Sequence, residues 1–338
     1  KSSKSEMKKI IIFSLLHLTA FSQSKYADSF LRIGTSTRSI ALGQAVVALP
    51  AHPQAYLYNP AGIALSDHSA FSLLAVNQFS LANYYSFSLS TPLGEKTVLG
   101  FHGIGLLIDH ILERPDIHGI SDLEARRDTI QTLVAKGFSS FSNRETAWTF
   151  TLSRKLQYTV DLGWQVDDIL LQCPVGINIR YIQKSLHKLN GRGIGVDAGG
   201  LIQISLKDVF FSNAGLLTLG GTVTNLVGTK IFWSSEKEDL IPLRFIRGAS
   251  YKQDLIIIPV TANFLYQSTQ GVDEKEQFGC ELVVKDRIFL RAGSDEAGLH
   301  GGVGFQFMFF QKKIDLGYSF LSHDLGKAHR FDFTIRLS

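Results

Sequence analysis

The chain closes on a strand-length stretch that alternates without a break. Phe331, Phe333, Ile335 and Leu337 interleave with Arg330, Asp332, Thr334 and Arg336. A strand sends successive side chains to opposite faces, so one face here is apolar and the other is largely charged. The same period recurs upstream. Val175, Ile177, Ile179 and Tyr181 oppose Gly176, Asn178, Arg180 and Ile182. Val303, Phe305, Phe307 and Phe309 oppose Gly304, Gln306, Met308 and Phe310, and Ile314, Leu316, Tyr318 and Phe320 oppose Asp315, Gly317 and Ser319. From Ala70 onward, about fourteen strand-like segments follow one another. They lie near 70–80, 82–91, 97–108, 146–155, 173–185, 193–206, 214–227, 242–252, 256–268, 275–285, 287–294, 298–311, 312–321 and 327–338. Most are near the ~9–11 residues that a tilted membrane strand needs.

This pattern predicts an all-β chain. The expected form is a transmembrane antiparallel β-barrel of about 14 strands over residues 70–338, with lipid outside and a polar lumen inside. The stretch 254–260 is apolar on both faces, and Pro259 should disturb its ladder. With both chain ends on one side, the joins at 252–255, 285–287 and 311–312 are short and share that side. The joins at 109–145 and 228–241 are long and fall on the other, as in outer-membrane barrels. The joins at 80–82 and 156–172 break the rule. Within 109–145, Ser121 to Glu124 has capping-box spacing and Gly137 could end a helix. The apolar face of Leu123, Ile130, Leu133 and Val134 is narrow, so a solvated loop is the stronger expectation.

The start of the chain reads differently. Met7-Lys8-Lys9, an apolar core from Ile10 to Leu18, and Ala20-Phe21-Ser22 together form a secretory signal, placing upstream residues and signal within 1–22. No later apolar run reaches the ~18 residues of a membrane helix, so a membrane-resident form must be a closed barrel. The formal charge is +4, but Lys1, Lys4, Lys8 and Lys9 against Glu6 leave 30 basic and 29 acidic residues beyond 22. That near-balance carries no footprint for nucleic acid. Cys173 and Cys280 fall in separate predicted strands, and their pairing is left open; a structural zinc site would need more ligands.

Candidate chemistry is sparse. Ser322-His323-Asp324 has the residue types of a hydrolase triad, but neighbours on a strand end do not converge in a nucleophile–base–orienter line, so a turn is expected. Gly94-Glu95-Lys96-Thr97 lacks the leading glycine of a phosphate loop. Gly191 to Gly195 lacks the strand–helix context of a dinucleotide site. The 10 histidines are scattered. No catalytic residue, metal site or cofactor is expected, and the protein reads as non-enzymatic.

Residues 23–69 do not look like membrane strands. Ala41 to Leu49 is small and apolar, Pro50 and Pro53 break it, and Asn59-Pro60-Ala61-Gly62 reads as a turn. From Phe30 through Ala64 the chain resembles the PorV/PorQ family of FadL-like outer-membrane proteins. The carriers are Arg38, then Leu42-Gly43-Gln44-Ala45, then Asn59-Pro60-Ala61-Gly62; Gln44 replaces a usual glycine, and Ala51-His52-Pro53 replaces a frequent acidic pair. The order continues through Gly221 to Asn225, Pro242 to Tyr251, Phe289 to Gly293, Gly298 to Gly304, Ile314 to Phe320 and Leu325 to Arg330. The resemblance implies a fourteen-stranded outer-membrane barrel plugged by an N-terminal hatch, with Asn59-Pro60-Ala61-Gly62 fixing the hatch backbone. It implies lipid as surroundings. It also implies either type IX secretion components or cargo as partners, or a role as conduit for a hydrophobic ligand. The third predicted strand concentrates Gly100, Gly103 and Gly105. Glycines there could mark a kink and a lateral opening, though room for the hatch or for curvature is the stronger expectation.

Overall fold

The computed structural model describes residues 27–50, 52–113, 117, 119–161, 168–208, 213–255, 258–271, 274–323 and 326–337. The signal segment, the tip of the 161–168 connection and Asp324 lie outside the described residues. In chain order the strands are β1 (Ser69–Gln78), β2 (Ala82–Leu93), β3 (Thr97–Leu112), β4 (Ser140–Arg154), β5 (Gln157–Val160) and β6 (Ile169–Gln172). They continue as β7 (Val175–Leu186), β8 (Leu189–Ser205), β9 (Leu216–Thr224), β10 (Thr229–Trp233), β11 (Glu238–Ile241) and β12 (Arg244–Asp254). The last six are β13 (Val260–Gln270), β14 (Lys275–Val284), β15 (Ile288–Asp295), β16 (Gly298–Phe309), β17 (Lys312–His323) and β18 (Gly326–Leu337).

Fourteen of these make a closed antiparallel barrel. Each wall strand pairs with its successor, β4 with β7 and β9 with β12, and β18 returns to β1 with Ser69 opposite Leu337 and Ala75 opposite Phe331. Closure leaves no sheet edge within the wall, which is what a β-structure needs to sit in hydrocarbon. The alternation is realised as expected: Phe331 is 64% exposed on the outer face and Arg330 is 2% exposed on the inner one. Val175, Ile177, Ile179, Phe264 and Phe305 stand on the same exposed outer face. An apolar belt of this kind is stable against lipid rather than water. No helix among the described residues is long and apolar enough to cross a membrane.

The four short strands were not foreseen. β5 and β6 pair with each other and prolong β4 and β7 past the end of the wall. β10 and β11 form a hairpin between β9 and β12. β13 begins at Val260, directly after Pro259, because proline cannot donate to the ladder. The long connection holds a helix after all, α2 (Leu123–Lys136), following a one-turn helix α1 (Thr37–Ala41). The Asp122 carboxylate, not Ser121, accepts from the Ala125 N–H at 2.9 Å, and Gly137 ends α2 with φ of 77°. No residue of α2 is buried, so capping and local propensity sustain it without a packed face.

Residues 27–50 and 52–68 fold inside the barrel as a hatch. Three short 3₁₀ turns and α1 carry it, and nearly all its residues to Ala64 are buried. The lumen is not uniformly polar. In its half distal to the Ser69–Leu337 rim, Leu74 and Val76 of β1, Ile104 and Leu106 of β3 and Ile182 of β7 belong to one apolar cluster with Phe30 and Leu31 of the hatch. Inward apolar residues are satisfied here by the plug itself, a partner that strand periodicity does not reveal.

Candidate functional site

The hatch is seated on missing side chains. Eight inward-facing glycines on successive or near-successive wall strands each leave room for a hatch residue. Gly176 faces Pro60, Gly199 faces Asn59 and Pro60, Gly220 faces Val47 and Ala48, and Gly248 faces Val47. Gly279 then faces Leu42, Gly293 faces Leu42 and Gly43, Gly302 faces Ala41, and Gly317 faces Thr37. A Cβ on Gly220 would lie 2.5 Å from the Val47 carbonyl oxygen, and one on Gly302 would lie 2.6 Å from the Ala41 Cβ. The hatch thus runs along a glycine track in the wall, in order from its end to its start.

Polar contacts lock the same path. Arg38 donates to Glu281 twice, from Nε at 2.9 Å and from Nη2 at 2.6 Å. Arg291 Nε donates to the same carboxylate at 2.8 Å and Asn263 Nδ2 at 3.1 Å. Glu281 is fully buried, so this three-sided neutralisation is what allows a carboxylate there. Asn59 Nδ2 donates to Val47 O at 2.8 Å within the hatch and to Gly200 O at 3.0 Å in the wall. Its Oδ1 accepts from the Ala61 N–H at 3.0 Å, which caps the turn that Pro60 opens. Gly62 has no left-handed backbone; it is small because an added Cβ would lie 2.7 Å from the Ala55 Cβ. Gly43 does need its glycine, with φ of 61° and the Ser294 backbone 2.5 Å from where a Cβ would stand. Gln44 follows with φ of 61° as well, and accepts from the Tyr58 hydroxyl at 3.4 Å.

The buried imidazole and phenols of the hatch are kept neutral. Burial, then the guanidinium groups of Arg38, Arg291 and Arg336, hold the pKa of His52 well below its ordinary value. Burial pushes Tyr58 up to about 12 and raises Tyr56 as well. Tyr56 stacks on His102 of β3 with ring centroids 3.6 Å apart.

Above the hatch, at the distal end, lies a cavity of about 300 Å³. Leu31, Ile33 and Leu57 of the hatch and Ile246 of β12 give it apolar surface, and Arg32, Arg180, Arg244, Lys275, Asp28 and Asp295 give it charge. Arg244 is paired with Asp28 of the hatch, and Arg180 with Asp197 of β8. The arrangement offers a greasy floor with charged groups of both signs around it, suited to holding a small amphipathic molecule. It contains no nucleophile–base pair, and no group of three metal-type side chains occurs among the described residues.

The three glycines of β3 do not open the wall. The register runs unbroken from Leu93–Thr97 to Asn83–Leu107 on one side and from Thr97–Arg154 to Ile108–Asn143 on the other. The irregularity falls later, between Ile108 and Ile111, where His110 has φ of 58°. Gly100 faces inward and makes room for His102 and Ile63, Gly103 lies under the Phe87 ring on the outer face, and Gly105 meets nothing within 4 Å. Cys173 sits in the join before β7 rather than in a strand, and both cysteines are free thiols. Ser322 and His323 end β17. Glu281 and Arg244, which bind Arg38 and Asp28 of the hatch, and Asp197, which pairs within the wall, were missed; the available signal was a charge at the inward position of an alternating strand.

No model of a known protein family matches the chain, and no curated protein does. Solved structures with similar architecture include the Pseudomonas putida toluene transporter TodX, with 10% identity, TM-score 0.42 and coverage of 90% of this chain and 96% of that one. The Ralstonia pickettii toluene transporter TbuX has 11% identity, TM-score 0.42 and coverage of 90% and 97%. A Pseudomonas aeruginosa FadL homologue has 10% identity, TM-score 0.39 and coverage of 89% and 98%. Such scores describe a loose likeness of barrels.

Proposed function

We propose that the protein is a non-enzymatic outer-membrane barrel that binds small apolar or amphipathic molecules at its distal mouth and passes them inward past a movable hatch. The observation that carries this reading is the cavity of about 300 Å³ whose floor, Leu31, Ile33 and Leu57, belongs to the hatch. A ligand resting there touches the plug directly, so binding energy can be spent on moving it. With the barrel's first and last wall residues, Ser69 and Leu337, on the periplasmic side, the cavity faces the exterior.

The test is a deletion strain assayed in parallel for uptake of radiolabelled toluene and oleate and for its secreted proteins. Loss of uptake with normal secretion is expected. Normal uptake with secreted proteins retained in the cell would replace this reading with the type IX secretion role that the motif order of Arg38 through Gly62 implies.

A further inference from the structure

One buried charge in the barrel has no counter-charge. Arg330 of β18 points into the lumen and is 2% exposed, the bulkiest fully buried side chain among the described residues. Its Nη2 donates to Gln78 Oε1 of β1 at 2.8 Å, and its Nε has no acceptor. No carboxylate among the described residues forms an ion pair with it. Its electrostatic neighbours are Tyr84, Tyr58 and Asp295. Asp295 is already held, 2.8 Å from His300 Nε2 and accepting from the Ala297 N–H at 2.7 Å. Glu281 and Asp28 neutralise other arginines, and Asp332 accepts from the Thr37 N–H at 2.7 Å.

Two hydroxyls at the same level are equally unused. Ser319 of β17 is the register partner of Arg330. Tyr84 of β2 faces Val76, the β1 residue that follows Ala75 opposite Phe331. Both side chains are 0% exposed, and neither Ser319 Oγ nor Tyr84 Oη has a hydrogen-bond partner. Tyr84 also belongs to the apolar cluster of Phe30, Leu31, Leu74 and Val76, which keeps the surroundings dry. A desolvated guanidinium facing no opposite charge is strongly unfavourable until something neutralises it. A guanidinium only donates and both hydroxyls can donate, so what completes the three is an acceptor. We infer that Arg330, Tyr84 and Ser319 bind a small monovalent anion of the chloride or formate class, at the seam where β18 closes on β1. One guanidinium sets the charge at one, because a divalent ion would leave excess negative charge beside the apolar cluster. The burial of all three groups sets the size, which excludes bulky anions. The ligating strands β17, β18 and β2, with β1 between the last two, flank the closure, so the ion stabilises the closed barrel. None of the three residues lines the distal cavity, and the site is independent of the transport reading.

The test is thermal unfolding of the purified protein in neutral detergent, read by the migration of unheated samples, which reports barrel closure directly. Sodium chloride, formate and gluconate are exchanged for one another at fixed ionic strength. The wild-type midpoint should rise as chloride or formate replaces the bulkier gluconate, because an ion that binds only the folded barrel stabilises it by mass action. Arg330→Gln should abolish the difference between the salts. Tyr84→Phe and Ser319→Ala keep the charge and remove one donor each, so they remain informative if the arginine variant does not fold. Each should need about tenfold more chloride for the same rise, the factor for one hydrogen bond to a charged group. Crystals grown in bromide should show an anomalous peak within hydrogen-bond reach of Arg330 Nε. A wild-type midpoint that is equal in the three salts would overturn the site. So would a chloride response that survives in Arg330→Gln or is unchanged in both Tyr84→Phe and Ser319→Ala.

Discussion

Replacing Glu281 by Gln should release the hatch from the wall. The carboxylate accepts from Arg38 at 2.9 and 2.6 Å, from Arg291 at 2.8 Å and from Asn263 at 3.1 Å, and it is fully buried. Glutamine keeps the shape but leaves two guanidinium groups facing each other across a neutral amide. Removing one member of a buried ion pair typically costs about 3–5 kcal/mol, because the remaining charge stays desolvated. Arg38→Ala should cost less, about 1.5–3 kcal/mol, because Arg291 and Asn263 still satisfy the carboxylate. The double variant should cost less than the sum, since a single guanidinium then remains beside a neutral group. Urea unfolding of the protein in lipid vesicles, read by the migration of unheated samples on a detergent gel, gives the stability. Planar-bilayer conductance reads the hatch, which should open more often in Glu281→Gln. A Glu281→Gln protein with an unchanged midpoint and unchanged conductance would refute the clamp. So would a strictly additive double variant.

Three further outcomes are expected. Phe331→Arg, at mid-wall on the outer face, should cost about 2–4 kcal/mol of folding in vesicles, whereas Leu299→Arg at the strand end should cost about 0–1 kcal/mol; equal costs would contradict the lipid-facing assignment. Asn59→Ala removes a turn cap and two bonds, one of them to the wall, and should cost about 2–3 kcal/mol and raise conductance, checked by the same two assays. His52 is held neutral by burial and by three nearby guanidinium groups. The unfolded imidazole gains a proton below about pH 6.5 while the packed one does not, so the stability is fully present above that pH and is lost as pH falls below it. Between pH 7.5 and 5.5 the wild-type unfolding free energy should fall by about 1 kcal/mol more than that of His52→Gln, and parallel curves would count against this.

The wall was legible in the sequence because its rule is local. A strand needs only alternation, and alternation at Val175 to Ile182 or Phe331 to Leu337 survives whatever lies next to it. Helix α2 was underrated because its apolar face is narrow, and a capped exposed helix needs no such face. The lateral opening at Gly100, Gly103 and Gly105 was an inference from glycine content, but a glycine reports only that space is needed, not by what. For Gly103 the neighbour is the Phe87 ring outside the wall; for Gly293 it is the hatch backbone inside.

By itself the sequence determined an all-β chain with one lipid-suited face, about fourteen strands, and an N-terminal segment unlike them. Each of these follows from composition and period within a few residues. Only the tertiary structure decided that eight glycines form one track, that Arg38 meets Glu281 across 243 positions, and that β10 pairs with β8 beyond the end of β9. Those facts depend on closing the barrel. Closure sets which inward positions share a height around the lumen, and no local pattern encodes that registry.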